Sequence, residues 1–138
     1  MKPSWHQIVI IGIILASMPA TAATTSDDAL VKQFSRGIAT SETAVACGLR
    51  TLDWRKSVFL GYIASARIAV MAEHPGASDN KINARAMNIF KAAKMDAAFQ
   101  AKFAAPSQAV CDTLKTSRDM EEMDAAAKIG LLFGAANE

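Results

Sequence analysis

Residues 47–73 read CGLRTLDWRKSVFLGYIASARIAVMAE: a cysteine and a glycine, a two-residue link, a threonine, then about six turns of apolar helix. Placed on a helical repeat, the large side chains form two neighbouring stripes, Trp54/Val58/Tyr62/Ala69 and Leu52/Phe59/Ile63/Ala66/Val70. Charge is left mainly to Asp53, Lys56 and Arg67 on the remaining side. A helix apolar over so much of its circumference needs cover from several others, so the stretch predicts a central helix. Gly61, Ala64, Ser65 and Ala66 carry little bulk and let a neighbour come close.

Upstream, Ser26 caps a first helix, with Asp27 and Asp28 at the positive end of its dipole and Leu30, Phe34, Ile38, Ser41 and Val45 as its buried stripe. That helix stops near Cys47, with Gly48 in the left-handed conformation, and Thr51 caps the central helix. So short a link makes the two helices antiparallel neighbours. Downstream, His74-Pro75-Gly76-Ala77-Ser78 is a turn, because proline disfavours a helical His74 and Pro-Gly breaks the chain. Ser78 or Asp79 caps a third helix with Ile82, Ala86, Ile89, Phe90, Ala93 and Ala97 inward. Phe99 and Phe103 fall off that stripe, so the helix either rotates its buried face or breaks near Lys94. Pro106 opens a fourth helix with Val110, Cys111 and Leu114 inward, continuing through Met120, Met123, Ala127 and Leu131, with Thr116-Ser117 as a place for a break. Residues from Gly134 to Glu138 are expected to fray.

The first 22 residues read as an export signal. Lys2 is followed by the apolar run Ile8–Met18, Pro19, and the small residues Ala20-Thr21-Ala22. That run falls short of the ~20 apolar residues a membrane span needs. Residues 23–138 then form one helical domain of 116 residues outside the cytoplasm, periplasmic or secreted. Cys47 and Cys111, the only cysteines, pair as a structural disulfide in such a compartment. The expected fold is all-α: a small antiparallel bundle of about four helices, with the disulfide joining the end of the first to the start of the fourth at one pole.

Chemistry is sparse. His74 is the only histidine beyond the signal, which excludes sites needing two imidazoles, and no Gly-x-Ser-x-Gly nucleophile elbow is present. Glu42 and Glu73 are the glutamates that an acid–base pair would use, and both read as surface residues. Met120 and Met123 have the spacing of a soft copper(I) site but also fit the inward stripe of their helix. The chain is formally +2, and +1 without Lys2, unlike a dedicated binder of nucleic acid or anionic membrane. Within it, residues 79–102 are about +3 and 112–124 about −3: either adjacent helices complement one another, or the surface is bipolar and steers a charged partner.

These readings predict no catalytic residue, no cofactor and no metal site. They point to an exported, non-enzymatic bundle that binds another exported protein, as an inhibitor, immunity factor or accessory. In size, export, helical pattern and single long-range disulfide (Cys47, Cys111) the chain is similar in layout to the acid-activated periplasmic chaperones. That resemblance implies a second function, client binding after acid loosening, with the acids of residues 112–124 as the sensitive groups. A third is a soft-metal or small-ligand carrier using Met87, Met95, Met120 and Met123.

Overall fold

The computed structural model describes residues 27–100 and 105–136, with no side-chain description at 99–100 and 135–136. The expected signal segment, Ser26 and Phe103 lie outside the described residues, and Phe99 lies outside the described side chains. The described residues form α1 (Asp27–Ala46), α2 (Leu52–Glu73), α3 (Asp79–Gln100), α4 (Gln108–Lys115) and α5 (Arg118–Ala136), with no strand among them.

The ends follow from local chemistry. Gly48 takes φ +72°, and Gly48 and Leu49 donate back to the Val45 and Ala44 carbonyls, so the end of α1 is capped by its own chain. Thr51 accepts from the Trp54 amide and starts α2 (3.1 Å). At the other end His74 is the cap residue, and Ala77 donates to the His74 carbonyl across the Pro-Gly turn. Ser78 accepts from Lys81 at the start of α3, which runs unbroken past Lys94 to Gln100.

Five helices replace the expected four, because the chain does break at Thr116-Ser117. Thr116 ends α4, and the Ser117 hydroxyl accepts from the Met120 amide to begin α5. Pro106 does not enter the first turn of α4. Ser107 is the cap, accepting from Val110 N, and the proline precedes it. Helix α5 continues to Ala136, past the glycine where fraying was expected.

Burial places α2 at the centre, packed against α1, α3 and α5. Leu30, Phe34, Ile38, Val58, Tyr62, Val70, Ile82, Ile89, Phe90 and Met123 make the core, each large side chain contributing ~1.5–3 kcal/mol by leaving water. Its buried hydroxyls are bonded: Ser35 to Asp96 (2.6 Å), Ser41 to the Ile38 carbonyl and Ser65 to the Gly61 carbonyl. Helices α1 and α2 run antiparallel, since Phe34 meets Tyr62 and Glu42 meets Arg55, and so do α2 and α3, since Phe59 meets Phe90 and Arg67 meets Asn83. The most extensive packing, however, joins α2 to α5 and α1 to α3. Each of these pairs runs in the same direction: Trp54 meets Asp124 near one end of α2 and Arg67 lies over Phe133 near the other. In α1 and α3, Asp27 meets Arg85 and Ser35 meets Asp96.

The close neighbour foreseen for Gly61 is α5. A Cβ on Gly61 would stand 2.0 Å from the Ala126 carbonyl oxygen, and one on Gly130 would stand 1.7 Å from that of Ser57. Ser57-x3-Gly61 on α2 therefore faces Ala126-x3-Gly130 on α5, a small-x3-small pair that brings the two backbones into contact.

Cys47 and Cys111 are bonded, with Cα atoms 5.5 Å apart, and tie the end of α1 to α4. Helix α4 was expected to turn Val110, Cys111 and Leu114 inward, yet none of its residues is buried and Val110 is 48% exposed. Leu131, also expected inside, is 64% exposed, lying beside rather than on the buried arc of α5. Leu52, at the first turn of α2, is likewise outside the core.

Candidate binding face

Arginines knit the helices together. Arg50 donates from Nε and Nη2 to both oxygens of Asp124 (3.1 and 2.8 Å), and Trp54 Nε1 donates to the same carboxylate (2.8 Å). Arg50 also lies over the Trp54 ring. The paired guanidinium, helped by the indole N–H, holds the Asp124 carboxyl below its ordinary value despite partial burial. Arg55 binds Glu42 (2.7 Å), Arg36 binds Asp119 (3.3 Å), and Arg85 binds Asp27 (3.1 Å) with Glu73 at 3.7 Å. Arg85 of α3 and Asp119 and Asp124 of α5 thus find their partners elsewhere in the bundle, rather than on one another.

The residues singled out from sequence scatter. Glu42 sits beside Arg55 in the first turn of α2 and Glu73 is its last residue, so about 27 Å of helix separates them, too far for an acid–base pair. Met120 and Met123 are buried, and Met123 Sδ accepts from the Tyr62 hydroxyl (3.0 Å), whose own acidity burial suppresses strongly. Met95 is 75% exposed, so the four methionines do not form one soft-ligand set. Among the described residues no group of His, Cys, Asp and Glu is placed to hold a metal ion, and no helix is long and apolar enough to cross a membrane.

His74 has more company than its turn suggested. It lines a cleft of about 550 Å³ at the α2–α3 corner with Val70, Glu73, Pro75, Ala77, Lys81 and Arg85. An Arg85 Nη1 N–H points to His74 Nε2 at 3.2 Å, placing the imidazole proton on Nδ1 when the ring is neutral. Because Arg85 is already matched by Asp27 and Glu73, the corner as a whole is close to neutral.

A different surface emerges along the outer seam of α2 and α3. On α2, Lys56, Phe59, Ile63 and Arg67 recur on one stripe; on α3, Asn83, Met87, Phe90 and Lys94 do the same, with Lys91 beside them. The stripes meet where Phe59 packs edge-on against Phe90 (5.6 Å) and Lys94 Nζ lies 5.8 and 5.9 Å from the two ring centres. Arg67 bonds the Asn83 amide oxygen and covers Phe133. Lys56, Lys91 and Lys94 are exposed, while Phe59, Ile63, Met87 and Arg67 are half-buried. Among the described residues, none of these four cations has a carboxylate partner, in contrast to Arg36, Arg50, Arg55 and Arg85.

Reading α3 alone hides this strip. Its basic residues leave the axis in several directions, Lys81 and Arg85 toward the corner and Lys91 and Lys94 toward the seam. Only the spacing Lys56-x2-Phe59-x3-Ile63-x3-Arg67 on the partner helix was available in the sequence as a sign of it. Set against known proteins, the chain matches no protein-family model, no curated protein and no solved structure.

Proposed function

We propose that this protein is an exported, non-enzymatic helical bundle that acts by binding another protein through the α2–α3 seam, in the manner of an inhibitor, immunity factor or accessory. The observation that carries this reading is the strip itself: unneutralised cations beside half-exposed aromatic and aliphatic groups, on a protein whose other arginines in ion pairs serve packing. Apolar contact area with a charged margin is the make-up of a protein-recognition surface. Export is supported by the apolar run Ile8–Met18 with its small-residue end, and by a disulfide that oxidising compartments maintain. A photoreactive side chain at Asn83, tested in the native host's exported fraction, is expected to give one discrete protein adduct that the same group at Lys128 on α5 does not. No adduct at Asn83, or the same adducts from both positions, would overturn the reading.

A second reading, the acid-loosened chaperone, is favoured by one set of contacts. Carboxylates Asp27, Glu42, Asp119 and Asp124 each complete an ion pair between separate parts of the bundle. For Asp124 the sign is defined. Its folded pKa lies below the ordinary 3.8, so its stabilisation is complete above about pH 4 and disappears as pH falls through the folded value. Asp124 is partly exposed, so Asp124→Asn should cost only about 1 kcal/mol at neutral pH and lessen the further loss below pH 4. Circular dichroism with a hydrophobic dye from pH 7 to about pH 2 tests both statements. Retained helix with strong dye binding at the acid end supports the chaperone; a bundle that stays closed and dye-dark removes it.

A further inference from the structure

We infer that the occupant of the α2–α3 seam is an acidic, amphipathic segment of the partner, its carboxylates engaging Lys56, Lys91, Lys94 and Arg67 while its apolar side chains lie on Phe59, Ile63 and Met87. This rests on the protein-binding reading above and names the chemistry of the partner.

The charge pattern makes the choice. Four cations without carboxylate partners among the described residues gather on one seam, whereas Lys32, Lys81, Lys115, Arg118 and Lys128, likewise unpaired, are spread over other parts of the bundle. Acids on neighbouring turns and helices are engaged elsewhere or stand apart from them. Glu42 is taken by Arg55, Asp96 accepts from Ser35, and Asp53, one turn before Lys56, forms no ion pair among the described residues. An incoming carboxylate therefore displaces only water from the lysines. Lys94 is steered by the two phenyl rings beneath its ammonium, which hold the charge over the apolar floor of the strip. From Lys56 to Arg67 the strip is about 16 Å long, the length of three turns of helix or some five residues of extended chain.

A membrane surface fits less well. Phe90 is buried and Phe59 half-buried under Lys94, so no large apolar side chain of the strip projects to enter an acyl layer. A second copy of the chain, offering the acidic segment of residues 112–124, has the right sign of charge. Those carboxylates are nevertheless not interleaved with exposed apolar side chains: the exposed leucines of α5, Leu131 and Leu132, lie more than two turns beyond Glu122 and next to Lys128.

The test uses the oxidised protein and two labelled helical peptides, one alternating Glu with Leu on an amphipathic repeat and one with Lys in place of Glu. Fluorescence anisotropy at low salt is expected to show binding of the Glu peptide alone. Lys91→Glu with Lys94→Glu should weaken it ~10-fold or more, as should half-molar salt, because the contacts are exposed and screened. Lys32→Glu with Lys128→Glu changes net charge equally on other faces and should leave affinity within about twofold. All four sites are exposed, and unchanged circular dichroism shows that each variant is folded. Equal weakening by both double variants would overturn the assignment. Binding to equimolar phosphatidylglycerol–phosphatidylcholine vesicles in preference to the peptide would do so too, as would self-association in the ultracentrifuge that Lys91→Glu with Lys94→Glu abolishes. Peptide failure with a persisting Asn83 adduct rejects the acidic partner and keeps the protein-binding reading; failure of both rejects that reading as well.

Discussion

Gly130→Ala should lower stability by about 3 kcal/mol, a large part of the ~5–15 kcal/mol a domain of this size has. The added methyl would stand 1.7 Å from the Ser57 carbonyl oxygen and 2.9 Å from the Gly61 nitrogen, both backbone atoms. No rotamer change can relieve that contact, so α5 must move off α2 along the tightest interface in the bundle. The gain of up to ~1 kcal/mol that alanine brings to a helix interior is too small to compensate. Gly134→Ala, one turn later on the same helix, is the control. Its new methyl meets only the Leu60 Cδ1 at 3.7 Å, an ordinary contact, so the change should be neutral or stabilising by ~0.5 kcal/mol. Urea unfolding of the two variants, followed by circular dichroism, separates them. Equal midpoints would mean that α2 and α5 do not pack backbone to backbone.

Removing both cysteines, as Cys47→Ser with Cys111→Ser, should cost about 4 kcal/mol. The bond closes a loop of 64 residues, whose release returns that much chain entropy to the unfolded state. The native protein should also change, and locally. Helix α4 has eight residues, none buried, and a helix that short is unstable in water without support. In the double variant the amides of α4 should exchange with solvent near the rate of free peptide, while α2 and α5 remain protected. Hydrogen exchange read by mass spectrometry would show it. Protection of α4 undiminished by the loss of the bond would mean that Leu114 and its half-buried neighbours hold the helix unaided.

Much of the bundle is legible in the sequence. Thr51, Ser78 and Ser107 are short oxygen-bearing residues ahead of helical periods, and each accepts the amide hydrogen bond that such residues are suited to accept; Ser117, legible only as part of a break, does the same. Gly48 takes the one positive φ among the described residues, and the stripe from Ile82 to Ala97 is buried throughout. The errors cluster where amphipathicity alone was followed. Val110 and Leu131 carry the right period, but α4 is too short to reach the core and Leu131 lies past the margin of the buried arc.

The candidate face was scarcely legible. Lys56 and Arg67 looked like the solvated side of a central helix, and Lys91 and Lys94 like scattered charge on another. They became one strip because Phe59 packs on Phe90, a contact between residues on different helices that neither helical period specifies.

By itself, the sequence determined that the described chain is helical, where the central helix begins and ends, the buried stripes of α1 and α3, and that two cysteines remain to be paired. These depend on hydrogen bonds and periodicities that act within a few residues. Only the tertiary structure decided that Gly61 meets Gly130, that α2 pairs most closely with α5 and α1 with α3, and that four cations share a seam. Several apolar helices can cover one another in more than one arrangement at similar gain in buried area. The choice among them rests on volume matching between side chains far apart in the chain, and on which backbones glycine allows to touch.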